Sequence, residues 1–152
     1  PVVPTEPARP PGPLSDLRVV DLSTVVAGPG CTRYLADFGA TVVNVERPGG
    51  GDTTRHMGFT DPNDADGTSL FWKLIGRNKC CVVVDLKDDD ERGRLLRLID
   101  GADVLVENMR PGGLERLGMA PAVLLEEVEL TRIERESERK PFLPSPQARA
   151  SK

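Results

Sequence analysis

The chain has 152 residues, 38% hydrophobic and 29% charged, the proportions of one ordinary globular domain in water. A net charge of -4 and an aromatic content of 4% argue against non-specific nucleic-acid binding and base-stacking platforms. No apolar run is long enough to span a membrane and no basic-then-apolar leader opens the chain at Pro1, so no membrane partner and a cytoplasmic location are expected.

In chain order, Pro1 to Pro13 holds six of the 14 prolines and is expected to be an extended, poorly ordered leader. Arg18 to Leu22 is a short β-branched run ending on Ser23-Thr24, which predicts a strand buried on both faces. The turn Ala27-Gly28-Pro29-Gly30 follows, with Gly28 supplying a backbone angle closed to other residues and Pro29 suited to a helix's first turn. Cys31, Tyr34, Leu35 and Phe38 then recur at helical spacing and predict the buried stripe of a helix that Gly39 closes. Thr41 to Val45 is a second strand, ending at Glu46-Arg47. Together these form a βαβ unit with a parallel pair, whose strand ends offer a ligand free helix N–H groups and a cleft.

Gly51 to Ser69 is a long Gly-, Asp- and Thr-rich loop of the functional or mobile kind. Leu70 to Gly76 predicts one or two helical turns, and Cys80 to Leu86 a clear strand. Asp88 and Glu91 have capping-box spacing ahead of a helix running to Asp100, which Gly101 ends. Asp103 to Glu107 is a further strand, completing a second βαβ unit that ends in the loop Asn108-Met109-Arg110-Pro111-Gly112. Gly113–Leu117 and Ala122–Val128 predict short helices. Residues 129–152 are charged, then proline-rich, and are expected to be a disordered or divergent tail. The compact domain is expected over 14–128.

The glycine turn is open between a tight strand-to-helix connection and a ligand cradle. It is neither a G-x-G-x-x-G fingerprint, since position 33 is Arg33, nor a phosphate-binding loop ending in Gly-Lys-Ser/Thr. Glu46 stands where a ribose-binding acid would, which leaves a nicotinamide-binding Rossmann domain as one alternative. Arg47 can stack on a base or pair with phosphate, or be a solvated surface charge. Asn108 can bond a ligand's amide or base edge, or cap a plain turn; Arg116 can hold phosphate. His56, the single histidine, is expected in solvent. Of three cysteines, Cys80 and Cys81 are adjacent and read as small buried strand residues, so neither a disulfide framework nor a metal site is expected.

The order of four segments is more specific than any of them alone. They are D-L-S-x-V-x-A-G-P-x-C-T from Asp21, G-A-x-V-x-x-V-E-R-P-G-x-G-D-x-x-R from Gly39, N-K-x-x-x-x-x-D-L-K from Asn78, and A-D-V-x-V-E-N-x-R-P-G-x-L-x-R-L-G from Ala102. Over Leu14 to about Val128 the chain resembles the N-terminal part of the family III CoA-transferases, a group that includes formyl-CoA transferase, carnitine CoA-transferase and α-methylacyl-CoA racemase. The resemblance implies an α/β, Rossmann-like parallel sheet built from βαβ units, truncated relative to the family, and a homodimer for the full-length protein.

It also implies coenzyme A or acyl-CoA as substrate, a carboxylic acid as acceptor, and no metal. CoA-contacting positions carried over by motif are Val26 and Ala27, Arg47, Val84, Asp85, Leu86 and Lys87, then Asn108, Met109, Arg110 and Arg116. The transferase chemistry implied is covalent. A carboxylate attacks the acyl-CoA thioester to give a mixed anhydride, the released thiolate forms an enzyme thioester, and the acceptor acid takes the CoA. In the racemases a His and an Asp instead exchange the α-proton. The family's nucleophilic aspartate matches no residue here, so no catalytic residue is assigned, and a non-catalytic interaction fragment is a further alternative.

Overall fold

A computed structural model describes residues 12–63, 65–120, 122 and 124. The backbone divides into two units, Pro1–Pro111 and Gly112–Lys152. In the first, strands β1 (Arg18–Asp21), β2 (Thr41–Glu46), β3 (Cys80–Val83) and β4 (Val104–Val106) form one all-parallel sheet in the order β3-β2-β1-β4. Helices α1 (Ala27–Asp37), α2 (Leu70–Ile75) and α3 (Asp89–Asp100) connect them, with a 3-10 helix at Thr53–His56 between β2 and α2. The expected Rossmann-like α/β fold is present.

The sheet order corrects one expectation. β3 and β4 flank the same crossover helix but do not pair; they are the sheet's two edges, and β4 pairs with β1 through Val19↔Val104 and Val20↔Leu105. Twelve helical residues reach about 18 Å, enough to cross the roughly 14 Å between the outer strands of a four-stranded sheet. β1 thus has β2 on one side and β4 on the other. The strands are added outward from β1 through β2 to β3, and then β4 is laid on the other side of β1, so the winding reverses there; a crevice forms at such a switch point outside the strands' carboxyl ends.

Val19, Val42, Ala36 and Ala40 make the core between α1 and the sheet, with Leu14, Leu17, Leu35, Val104 and Val106 packed around it. Helix α1 does not bury the stripe expected of it. Pro29, Thr32 and Ala36 face inward, whereas Cys31 is exposed and Tyr34 and Phe38 are 58% and 55% exposed. Small residues let the helix lie close on the sheet, and Thr32 is drawn in by a buried carboxylate rather than by hydrophobicity. Gly39, with φ 104, turns the chain after α1. Gly12 lies against it: a side chain at Gly12 would meet the Phe38 carbonyl oxygen at 2.2 Å.

Strand β3 is shorter than expected and stops at Val83; Val84 N–H still donates to the Glu46 carbonyl (2.9 Å), and Asp85–Lys87 turn toward α3. Every β3 residue is exposed because the strand is an edge, so the reading of Cys80 and Cys81 as buried is overturned. The capping box is half formed, since Asp88 N–H donates to the Asp85 carbonyl (3.0 Å) and not to Glu91. Asp88 accepts Glu91 N–H (2.9 Å), while the Glu91 carboxylate reaches past the cap to Asp85 N–H (2.7 Å).

In the second unit, a 3-10 helix at Glu115–Leu117 ends at Gly118 in a left-handed conformation, and Leu114, Met119 and Leu124 are buried. The expected leader, apart from residues 12 and 13, lies outside the described residues, as does the tail; the helix over 122–128 is described only at 122 and 124.

Candidate functional site

All four strands run the same way, so the segments that follow them share one edge of the sheet. From β3 to β4 these are Val84–Lys87, Arg47 with the glycine bend, the turn Thr24–Ala27 into α1, and Asn108–Arg110. Arg47, Val26, Ala27, Lys87, Asn108 and Arg110 are exposed, and Met109 is half-buried. Ten of the eleven motif-implied positions therefore border one edge. Arg116 is exposed on the 3-10 helix of the second unit, where its backbone N–H donates to the Gly112 carbonyl (3.3 Å).

Beneath that edge lies a row of buried polar side chains on the α1 face of the sheet. Asp21 ends β1 with no exposed surface and accepts from Ser23 N–H (3.0 Å), from the Ser23 and Thr32 hydroxyls, and from Lys79 Nζ (3.1 Å). Lys79 Nζ, equally buried, also donates to the Pro29 carbonyl (2.8 Å) inside the first turn of α1. The ion pair is thus fully hydrogen-bonded, the condition under which a buried pair is tolerated. Its neighbours Arg77 and Asn78 hold Asp37 at the other end of α1, with contacts of 2.7 Å each. Hydrogen bonds from Arg77 lead the causes that hold the Asp37 carboxyl below its usual value.

Gly28 belongs to this arrangement, for a reason other than the one expected. A Cβ there would sit 2.2 Å from the Ser23 side chain, so it is close approach that demands glycine. The left-handed residue of the turn is instead Val25, at φ 72. A β-branched residue held there costs roughly 1–3 kcal/mol and persists only when its surroundings insist on it. Asn108 clamps one side, accepting Thr24 N–H (2.9 Å) and donating to the Thr24 carbonyl (2.8 Å). The amide that sequence reasoning offered to a ligand is therefore committed to joining the β1 and β4 loops. Val25 N–H donates to Asp52 Oδ2 (3.2 Å) on the other side. No side chain caps α1, whose N-cap is Val26.

The long loop after β2 is tied down rather than open. Glu46, 5% exposed, takes Arg55 in two bonds (2.7 and 2.6 Å) and Asp52 N–H (3.1 Å). Arg55 also lies over the Trp72 ring, 4.2 Å from its centroid. Burial alone would push the Glu46 carboxyl up, but these hydrogen bonds outweigh it and hold it below its usual value. Glu46 is thus spent on Arg55 and is unavailable as a ribose acid, which removes the support for a nicotinamide reading. Cys81 flanks the same carboxylate, and desolvation followed by the Glu46 hydrogen bond pushes its thiol up to about 11. Ser69 caps α2 (accepting Trp72 N–H, 3.0 Å) and donates to the Thr54 carbonyl, closing the loop on itself.

Arg47 differs: its Nε donates to the Gly51 carbonyl (3.1 Å) across Gly49, Gly50 and Gly51, all at positive φ. His56 is exposed, and among the described residues no group of three or more His, Cys, Asp or Glu is placed to hold a metal ion. No described helix is long and apolar enough to cross a membrane. Asp52 and Lys79 were missed as site-building residues. Each stands inside a quoted motif, but the motif alone does not say whether a residue faces a ligand or the core.

Comparison with known proteins finds a family and a shared fold. The pattern of CoA-transferase family III matches residues 14–128. The chain is 42% identical over 111 residues to succinyl-CoA–D-citramalate CoA-transferase of Chloroflexus aurantiacus, covering 73% of this chain and 27% of that protein. It is 44% identical over 114 residues to acetyl-CoA:oxalate CoA-transferase of Acetobacter aceti, covering 75% and 28%. A CaiB/BaiF family protein from Brucella suis superposes with a TM-score of 0.70 at 34% identity, covering 78% of this chain and 31% of that one. The chain therefore spans little more than a quarter of the length of these curated relatives.

Proposed function

Since the chain belongs to CoA-transferase family III, we propose that it binds the CoA moiety of an acyl-CoA, as part of an enzyme that moves CoA to a carboxylic acid. The observation that carries the reading is the switch point between β1 and β4, where the uncapped start of α1 and the Asn108–Arg110 loop are stitched together through Thr24. Helix N–H groups and exposed arginines suit the phosphates of CoA. Val26 and Ala27 would offer backbone to the pyrophosphate, Arg47 and Arg110 would pair with phosphate, and Val84 to Lys87 would flank the adenine. Met109 is a further proposed contact, and Arg116, on the second unit, is proposed from its motif alone. Local positive charge can act in a chain of net charge -4, because the field near a cleft need not follow the total.

The acyl-enzyme anhydride route needs a nucleophilic carboxylate, and none is assigned among the described residues. On this reading the 152 residues bind CoA without turnover. The test is titration of CoA into the chain, followed by amide chemical shifts and Trp72 fluorescence, with NAD as control. Shifts clustered at Val26, Ala27, Arg47 and Met109 under CoA, and absent under NAD, are expected. No response at millimolar CoA, or tighter binding of NAD, would overturn the proposal.

A further inference from the structure

Where β3 ends, the backbone from Val84 through Leu86 keeps two polar groups in hand. Val84 N–H donates to the Glu46 carbonyl (2.9 Å) and Asp85 N–H to Glu91 Oε2 (2.7 Å). The Asp85 carbonyl accepts Asp88 N–H (3.0 Å), and the Leu86 carbonyl accepts Arg92 Nη1 (3.2 Å). The Val84 carbonyl and Leu86 N–H have no partner among the described residues.

One residue of the neighbouring strand leaves them open. Glu46 lies opposite Val83, and the bond from Val84 to Glu46 carries that ladder one step past the strand. In a parallel ladder the next two bonds would join residue 48 N–H to the Val84 carbonyl and Leu86 N–H to the residue 48 carbonyl. Position 48 is Pro48, which has no N–H to give, and the ladder stops.

The two open groups also share a direction. Across a planar trans peptide the N–H and the carbonyl point opposite ways. The Val84–Asp85 plane is held through its N–H by Glu91, and the Asp85–Leu86 plane through its carbonyl by Asp88, both at the start of α3. The Val84 carbonyl and Leu86 N–H therefore turn away from α3, an acceptor and a donor two residues apart. Adenine has the complementary pair on one edge, a 6-amino donor beside the N1 acceptor, whereas hypoxanthine has the reverse polarity.

We infer that Glu91 is a positioning and specificity residue for CoA binding: by holding Asp85 N–H it aims the Val84 carbonyl, which together with Leu86 N–H reads the 6-amino group and N1 of the CoA adenine. This rests on the CoA reading above. Glu91 touches no ligand itself. Its effect passes through the Val84–Asp85 peptide plane, which has no other hydrogen bond among the described residues.

CoA and its hypoxanthine analogue are titrated into the full chain as wild type, Glu91→Ala and Glu91→Gln. The analogue keeps the ribose, phosphates and pantetheine but exchanges donor and acceptor on the base edge. The wild type should bind CoA about ten-fold more tightly than the analogue, the scale of one or two neutral hydrogen bonds. Glu91→Ala should bring that ratio close to one by weakening CoA alone. Glu91→Gln keeps an acceptor oxygen at the same reach and should preserve most of the ratio. A purely structural role for Glu91 would weaken both ligands together and leave the ratio unchanged, and that result overturns the inference. So does a wild type that binds both equally well, in which case the CoA reading stands. If the wild type binds neither, the reading itself falls, and the inference with it. Should Glu91→Ala not fold, Glu91→Asp takes its place: it keeps the charge at the head of α3 but falls short of Asp85 N–H, so the ratio should drop in the same way, and an unchanged ratio again overturns the inference.

Discussion

Arg47 and Arg55 stand eight positions apart in one glycine-rich motif, yet they live in different electrostatic settings. Arg55 is bidentate to a buried glutamate and stacked on Trp72, whereas Arg47 is exposed and has one bond, to a carbonyl. The contrast holds along the whole edge. Below it, Asp21, Lys79, Glu46 and Arg55 satisfy one another; along it, Arg47, Lys87 and Arg110 face solvent. Charges that are already paired inside make the scaffold, and those left outside are the ones an anion can use. The scaffold should therefore answer to stability measurements and the edge to binding measurements, and each prediction presses on that division.

The largest effect should come from Lys79→Ala. It leaves Asp21 charged and buried without its counter-ion, a change of about 3–5 kcal/mol, read as a fall in the denaturation midpoint. A loss under 1 kcal/mol would mean that the pair is not the closed unit it looks. Arg47→Ala should do the reverse. CoA affinity should drop by about 1.5–3 kcal/mol, the worth of a charge-assisted bond, with stability held within roughly 0.5 kcal/mol, as for a surface change. Unchanged affinity would remove Arg47 from the binding edge.

Gly51→Ala lies on the boundary between the two regions. Its Cβ would stand 1.9 Å from Glu46 Oε2 at a backbone φ of 70, so the Glu46–Arg55 pair must shift. Overpacking of this kind costs about 1–3 kcal/mol, and a melt that does not change would show that the pair yields freely. The smallest effect concerns pH. Glu46 and Asp37 are held below their ordinary values of 4.5 and 3.8, so the folded state binds fewer protons than the unfolded one. Their stabilisation is complete above those values and is lost as pH falls toward the lowered folded ones. Melts from pH 7 downward should stay level and then decline in the acid range, less steeply in Glu46→Gln; a profile that Glu46→Gln leaves unaltered would break the assignment.

Much of the fold was legible because local pattern carried it. The β-branched runs mark β1 and β2, and the Asp88–Glu91 spacing marks the start of α3. What was not legible depended on neighbours. Nothing in Asp103–Glu107 says that its strand will lie beside β1, because pairing follows from how far α3 carries the chain. The inward face of α1 was misassigned since Thr32 is buried by a hydrogen bond to Asp21, while Tyr34 and Phe38 stay outside. Cys80 and Cys81 look like core residues until their strand proves to be an edge. Along the sheet's carboxyl edge, the motifs named stretches that the strand order brings side by side, but they could not separate Asn108, whose amide serves Thr24, from Arg110 two residues on.

The bend beneath Arg47 has a consequence of handedness. Gly49, Gly50 and Gly51 all occupy backbone angles natural to D-amino acids, with φ of 77, 132 and 70. A D-alanine introduced at Gly49 by chemical synthesis would meet its own preferred geometry, where an L-alanine would be strained. Such a mirror-image residue would stiffen the tether of an exposed guanidinium without altering its charge, so that rigidity and electrostatics at this edge could be varied one at a time.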